Sequence, residues 1–301
     1  MRTERRMARD ISYSHSAETR PGRLMIRAME AATGRGRLIR KARGYGQEVA
    51  QGADFWDVIT TRYGIGLDVA RGSLDNIPRT GPVIVVANHP YGILDGLMLG
   101  RIMSERRDAD FRVLAHKVFR DAPDLEKVIL PVNFDDTKDA IATNIATRKA
   151  ALCYLEQGGA IGVFPGGTVS TAARPFAPPM DPVWRNFTAK MIQKSDAMVV
   201  PLYFDGSTSR LFQVASHLHT TLRMGLLIRE FKTRIGTDVR ICIGEPIPAA
   251  TLRRAHPNPK DCMDFLRKAT YDLSPGPVVS TTLGHEFEAR YKGKTHGSRH
   301  I

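Results

Sequence analysis

Two residues close in the chain have types suited to moving a proton. His89 and Asp95 lie in Val83–Gly96, VIVVANHPYGILDG, separated by five residues. An imidazole accepts a proton near neutral pH. A nearby carboxylate fixes its tautomer and stabilises the imidazolium that forms. A second stretch, Phe164-Pro165-Gly166-Gly167-Thr168, has a different talent. Gly166, Gly167 and Thr168 can present backbone N–H groups to an oxyanion or a phosphate, and glycine lets a ligand approach the backbone closely. Each signal alone is weak. A histidine beside a Pro-Gly turn is commonly a plain loop residue, and the glycine turn is neither a Gly-x-Gly-x-x-Gly fingerprint nor a P-loop.

Other chemistries find less support. No Gly-x-Ser-x-Gly elbow occurs, which argues against a serine hydrolase, and there is no His-Glu-x-x-His. His217 and His219 have a spacing that binds metal on a strand, but read as ordinary surface histidines, so no metal site is expected. Cys153, Cys242 and Cys262 are far apart and odd in number, which implies neither a disulfide framework nor zinc and fits a reducing compartment. A base with no serine or cysteine nucleophile beside it points to direct attack by a substrate hydroxyl on an activated acyl group. His89 would take the proton, and the glycine turn would receive the oxyanion.

The elements that must position these residues alternate in type. Val83–Val86 is β-branched and apolar, as a buried strand requires. Further strands are expected at 67–69, 111–115, 128–132, 160–164, 197–204 and 238–243. Helices are expected at 97–103, 140–156, 182–194, 224–234, 249–254 and 261–273. This alternation predicts an α/β fold with a mostly parallel central sheet flanked by helices. Sites in such sheets collect at the carboxyl ends of strands. The turns after Val86, Phe164 and Phe204 all fall there, which raises the catalytic reading of His89.

Ahead of this domain lies a basic amphipathic helical segment. Leu24, Met25, Ala28, Met29 and Ala32 share a helical face beside Arg23 and Arg27, and Glu30 is the only acid from 21 to 44. Such a segment suits an anionic membrane surface, and it equally suits a solvated helix packed on the domain. Gly34-Arg35-Gly36 divides it into two helices, and one further helix is expected over 49–63. The expected organisation is a disordered tail at 1–19, a membrane-contact segment at 20–64, the α/β domain at 65–283 and a flexible tail at 284–301.

The chain has 301 residues, a net charge of +13 and 42% hydrophobic residues, ordinary for a soluble core with an anionic partner. No apolar run reaches the ~18 residues of a membrane span, and the basic first residues lack the apolar core of a secretory signal. A non-catalytic binder of lipid or nucleic acid through the Arg23–Arg43 segment is a further reading. Few aromatics interleave those arginines, so nucleic acid is not the expected partner.

Taken in order, these blocks resemble the glycerolipid and lysophospholipid acyltransferase superfamily over about residues 65–248. His89 to Asp95 is similar to its His-x4-Asp motif, Phe164–Gly167 to its Phe-Pro-Glu-Gly block, and Val200-Pro201 to its last block. Three departures stand out: five residues separate His89 from Asp95, Gly166 replaces the usual Glu, and VILPVNFD lacks the usual arginine for an acceptor phosphate. These variants, with Asn144 and VVPLYFDGSTSRLF, more closely resemble the haemolysin-labelled branch that includes lyso-ornithine-lipid O-acyltransferases.

The resemblance implies a membrane-associated O-acyltransferase with no bound cofactor. Its donor would be acyl-ACP or acyl-CoA, with acyl carrier protein as a partner. Its acceptor would be a lyso-aminolipid such as lyso-ornithine or lyso-glutamine lipid, or alternatively lysophosphatidic acid. It would work peripherally at the cytoplasmic face of the inner membrane. Asn88, Lys117, Arg120, Asn144 and Arg210 are weaker candidates for acceptor or donor contacts.

Overall fold

A computed structural model describes residues 12–14, 17, 19–116, 124–133 and 137–288. Lys117 and Arg120 lie outside the described residues. Four helices come first: α1 (Arg20–Thr33), α2 (Arg35–Ala42), α3 (Tyr45–Ala50) and α4 (Phe55–Tyr63). Then follow β1 (Gly66–Arg71), β2 (Val83–Ala87), α5 (Ile93–Arg107), β3 (Arg112–His116), β4 (Ile129–Val132), α6 (Lys138–Glu156) and β5 (Ala160–Val163). A hairpin, β6 (Thr171–Ala172) and β7 (Pro179–Met180), precedes α7 (Asn186–Ile192) and β8 (Met198–Phe204). The remainder is α8 (Arg210–Leu218), α9 (Thr220–Thr233), β9 (Asp238–Ile243), β10 (Ile247–Pro248), α10 (Ala249–Ala255) and α11 (Pro259–Tyr271).

The main sheet runs β1-β9-β8-β2-β5-β3-β4, with β10 antiparallel to β8. β8, β2, β5, β3 and β4 are parallel to one another, and β1 is parallel to β9. The β8–β9 pair is antiparallel. Apolar patterning located β9 but carries no information on strand direction.

β2 is central, and all five of its residues are buried. Its alternation serves two layers. Val83, Val85 and Ala87 enter one core with α4, α5 and α9, while Ile84 and Val86 enter the other with α6, α7, α10 and α11. That is why the sequence shows an unbroken apolar run there. Each buried valine or isoleucine contributes about 1.5–3 kcal/mol.

α4 belongs to this core. Trp56 lies on α5 at Gly100, where a Cβ would approach the indole ring to 2.2 Å, so only glycine fits. The expected helix over 49–63 is two helices, because Asp54 caps a new start by accepting from the Asp57 N–H. The expected helix at 182–194 starts only at Asn186. The hairpin β6–β7 and helix α8 are additional elements.

Both expected tails are partly docked. Ser12 Oγ and the Tyr13 N–H donate to the buried carboxylate of Glu30 on α1. Glu286 pairs with Arg185 through two hydrogen bonds of 2.8 Å, which holds residues 284–288 against the domain.

Candidate active site

The site stands at the carboxyl end of β2. Asn88, the first residue past the strand, is 2% exposed and spans to the neighbouring strand. Its amide donates to Phe204 O at 2.9 Å and accepts from Phe204 N–H at 2.7 Å. This clamp fixes where the next residue leaves the sheet, and His89 is that residue.

Pro90, Tyr91 and Gly92 then turn the chain into α5. Gly92 has φ 78, the left-handed region that glycine tolerates best. Asp95, in the first turn of α5, reaches back and accepts the N–H groups of Tyr91 at 2.7 Å and Gly92 at 2.9 Å, both at Oδ2. The same oxygen lies 3.0 Å from His89 Nδ1. The five-residue spacing is therefore accommodated within a turn whose amides the carboxylate itself organises.

His89 Nδ1 and Asp95 Oδ2 are close, but not aligned as a straight hydrogen bond. Asp95 is wholly buried, and burial raises its carboxyl above the usual range. His89 and the two backbone donors pull the other way. The positive end of α5 also favours the carboxylate.

One face of the imidazole stacks on Phe164, with centroids 4.3 Å apart and planes at 26°. The side chain of His89 is 18% exposed, so it is open to a ligand. With Nδ1 turned to Asp95, Nε2 has no protein partner among the described residues.

The glycine turn lies directly alongside. β5 pairs with β2 in parallel, so Phe164 and the turn emerge beside His89. The Ser170 N–H donates to His89 O at 2.7 Å and ties the two loops together. Of the three turn residues, Gly167 uses its own N–H to close the turn onto Phe164 O at 3.0 Å. Among the described residues, the Gly166 and Thr168 amides have no acceptor, which leaves them as the turn's available donors.

A residue the sequence reading missed lies beneath both loops. Asp181, fully buried, accepts the main-chain N–H of His89 at 3.2 Å and the Ser170 hydroxyl at Oδ1, and Trp184 Nε1–H at Oδ2 at 2.8 Å. Its presence explains the glycine at 166. A Cβ there would sit 3.3 Å from Cγ and Oδ2 of Asp181, tighter than an ordinary contact. Ser170, whose N–H bonds the His89 carbonyl, is 1% exposed and its hydroxyl is engaged with Asp181, which removes it as a nucleophile.

Arg223 on α9 was also missed. It is 2% exposed and donates to Thr168 Oγ1, Val169 O, Thr171 Oγ1 and Ser216 Oγ. Without a carboxylate partner among the described residues, burial pushes it down to about 9, so it stays charged at neutral pH. It holds the Thr168–Thr171 segment in place. Both Asp181 and Arg223 are remote in sequence from what they support. An acid or an arginine set among apolar residues was the only available signal, since a buried charge needs partners.

The weaker candidates are dispersed. Asn144 on α6 clamps Asn133, accepting from its N–H at 2.9 Å and donating to its O at 2.7 Å. Arg210 is exposed at the start of α8. His217 and His219 have separate partners, Ala172 O and Thr221 N–H.

A family model described as Acyltransferase matches residues 53–276. The chain is 25% identical over 218 residues to a lyso-glycine lipid O-acyltransferase of Phocaeicola vulgatus, covering 66% of this chain and 71% of the relative. It is 26% identical over 211 residues to a protein of the same name from Bacteroides thetaiotaomicron, covering 66% and 73%. Among solved structures it is similar to the 1-acyl-sn-glycerophosphate (LPA) acyltransferase PlsC from Thermotoga maritima. That likeness has a TM-score of 0.45 and 18% identity, covering 74% of this chain and 78% of the other.

Proposed function

The chain belongs to the acyltransferase family, and from that premise we propose that it moves a fatty acyl group from a thioester to the hydroxyl of a lyso-lipid. His89 Nε2 takes the hydroxyl proton as the oxygen attacks the thioester carbonyl carbon. Asp95 holds Nδ1 and stabilises the imidazolium. The Gly166 and Thr168 amides receive the tetrahedral oxyanion. Collapse breaks the carbon–sulfur bond, and the imidazolium returns its proton to the departing thiolate. No covalent acyl-enzyme is formed.

The observation that carries this reading is the His89–Asp95 contact of 3.0 Å, set beside the glycine turn, with the Ser170 hydroxyl engaged elsewhere.

The acceptor we favour is a lyso-aminolipid. The relatives' names support an amino-acid head group, and the loop after β4 has no arginine for a phosphate. The donor is acyl carrier protein or coenzyme A, either of which suits the net charge of +13.

No helix among the described residues is long and apolar enough to cross a membrane. We place the enzyme peripherally on the cytoplasmic face of the inner membrane, with α1 as the contact within residues 20–64, while α4 packs into the acyltransferase domain of 65–283. The outward face of α1 supports this. Ile26 and Glu30 are buried against the protein, while Leu24 and Met25 are 66% and 49% exposed.

Purified protein should acylate lyso-glycine, lyso-ornithine or lyso-glutamine lipid in parallel assays with both donors, and His89→Ala should abolish turnover while keeping its melting temperature. Preference for lysophosphatidate would overturn the acceptor assignment. Turnover in the His89→Ala protein would overturn the base.

A further inference from the structure

α8 leaves the carboxyl end of β8, next to β2, and so stands on the rim that carries His89. Its inner face is fully engaged. Phe212 and Ala215 pack against Leu226 and Leu227 of α9, Gln213 bonds Thr208 and the Ala172 N–H, and His217 Nε2 sits 2.9 Å from Ala172 O.

Its outer face has no partner among the described residues. Leu211, Val214 and Leu218 recur at i, i+3 and i+7 and are 52%, 38% and 70% exposed. The hairpin that α8 leans on carries Phe176 between β6 and β7, 82% exposed with a left-handed backbone of φ 71. That conformation is uncommon for an aromatic residue. α1 packs on the neighbouring α9, where Gly22 comes beside Thr221, three residues past Leu218. The exposed face of α1 therefore continues this surface.

We propose that the outer face of α8 and the Phe176 hairpin tip, together with α1, form one docking surface for an anionic bilayer at the mouth of the site. Apolar side chains grouped in this way on three adjacent elements are not an ordinary water-facing surface. The border is cationic, with Arg27 on α1, Arg174 beside Phe176 and Arg210 at the start of α8, all exposed. Apolar side chains enter the acyl boundary and guanidinium groups meet anionic head groups. A second copy docked face to face would set these arginines against their own equivalents, which disfavours a self-association surface. The acyl-transfer reading gives the docking its purpose, but the docking does not depend on it.

The test is flotation of the full chain with vesicles of phosphatidylcholine containing phosphatidylglycerol, against phosphatidylcholine alone. The wild type should bind the anionic vesicles. The L211E/L218E variant should lose about ten-fold or more of its partitioning and Phe176→Ser about three-fold. Both should keep wild-type melting and turnover on detergent-dispersed lyso-lipid. Leu218→Trp, which preserves the apolar face, should show an emission blue-shift on vesicle addition that the wild type lacks, since Trp56 and Trp184 are already buried.

Undiminished flotation of L211E/L218E, or no shift from Leu218→Trp, overturns the proposal. So does a wild-type dimer in light scattering that L211E/L218E converts to monomer, which would make a second copy the occupant. Loss of the acyl-transfer reading would look different: no turnover with any acceptor, with vesicle binding unchanged.

Discussion

Two buried aspartates serve His89, and they do so on opposite sides of it. Asp95 faces the imidazole, with Oδ2 on Nδ1 and on two amides of its own turn. Asp181 faces the main chain of the same histidine, and adds the Ser170 hydroxyl and the Trp184 indole. Asp95 is balanced by a group that can become positive. The Asp181 carboxylate accepts from a main-chain N–H, a hydroxyl and an indole, none of which takes up charge. Proximity to His89 therefore says little about role; which of its atoms are touched says more.

Asp95→Asn should separate the two most sharply. It keeps the shape but loses the charge opposite the imidazolium, and turnover should fall about 10³–10⁴-fold. The folded protein holds the Asp95 proton more tightly than the unfolded chain does, because burial raises its pKa. A group of that kind costs stability above its unfolded value of about 4. The melting temperature of the variant at pH 7 should thus match or exceed wild type, and any gain should fade as pH falls toward 4. A lower melting temperature at pH 7 would make Asp95 an architectural residue.

Asp181→Asn should behave in the reverse manner. An amide cannot accept from all the donors that surround the carboxylate, and one of its own N–H groups must face a donor. We expect a loss of about 2–4 kcal/mol in urea unfolding. Turnover per folded molecule, read by active-site-independent concentration, should fall less than about ten-fold.

Phe164→Leu addresses the ring from its third side. Removing the stack leaves both aspartates in place, and turnover should drop about three- to ten-fold through looser placement of the imidazole, with KM little changed.

Gly166→Ala should have the smallest effect. The added methyl presses on Asp181 at 3.3 Å and does not reach Asp95. A destabilisation of about 1 kcal/mol, with an unaltered pH profile of turnover, would confirm that the glycine turn leans on the architectural acid.

The contrast also marks what was legible in the sequence. Asp95 could be found because a helix start folds it back within one turn of His89. Asp181 reaches His89 from 92 residues away, through the β6–β7 hairpin, and nothing in local spacing encodes that meeting. β2, β5 and their turns were legible because strands buried on both faces write continuous apolar runs. α8 was not, because Asp205–Ser209 reads as a loop running into it, and three of the helix's five apolar residues point outward, so its stripe does not report a buried face. Asn88 and Asn144 were weaker candidates for acceptor or donor contacts, and the structure engages both with backbone, as clamps at the ends of β2 and β4.

The bare patch at Gly100 has a further meaning. Because the Trp56 indole is inlaid there, α4 forms the roof over the back of the helix whose first turn carries Asp95. Cutting the chain at residue 64 would not trim an appendage; it would strip insulation from the acid's own scaffold. α4 and the His89–Asp95 corner are thus joined through α5.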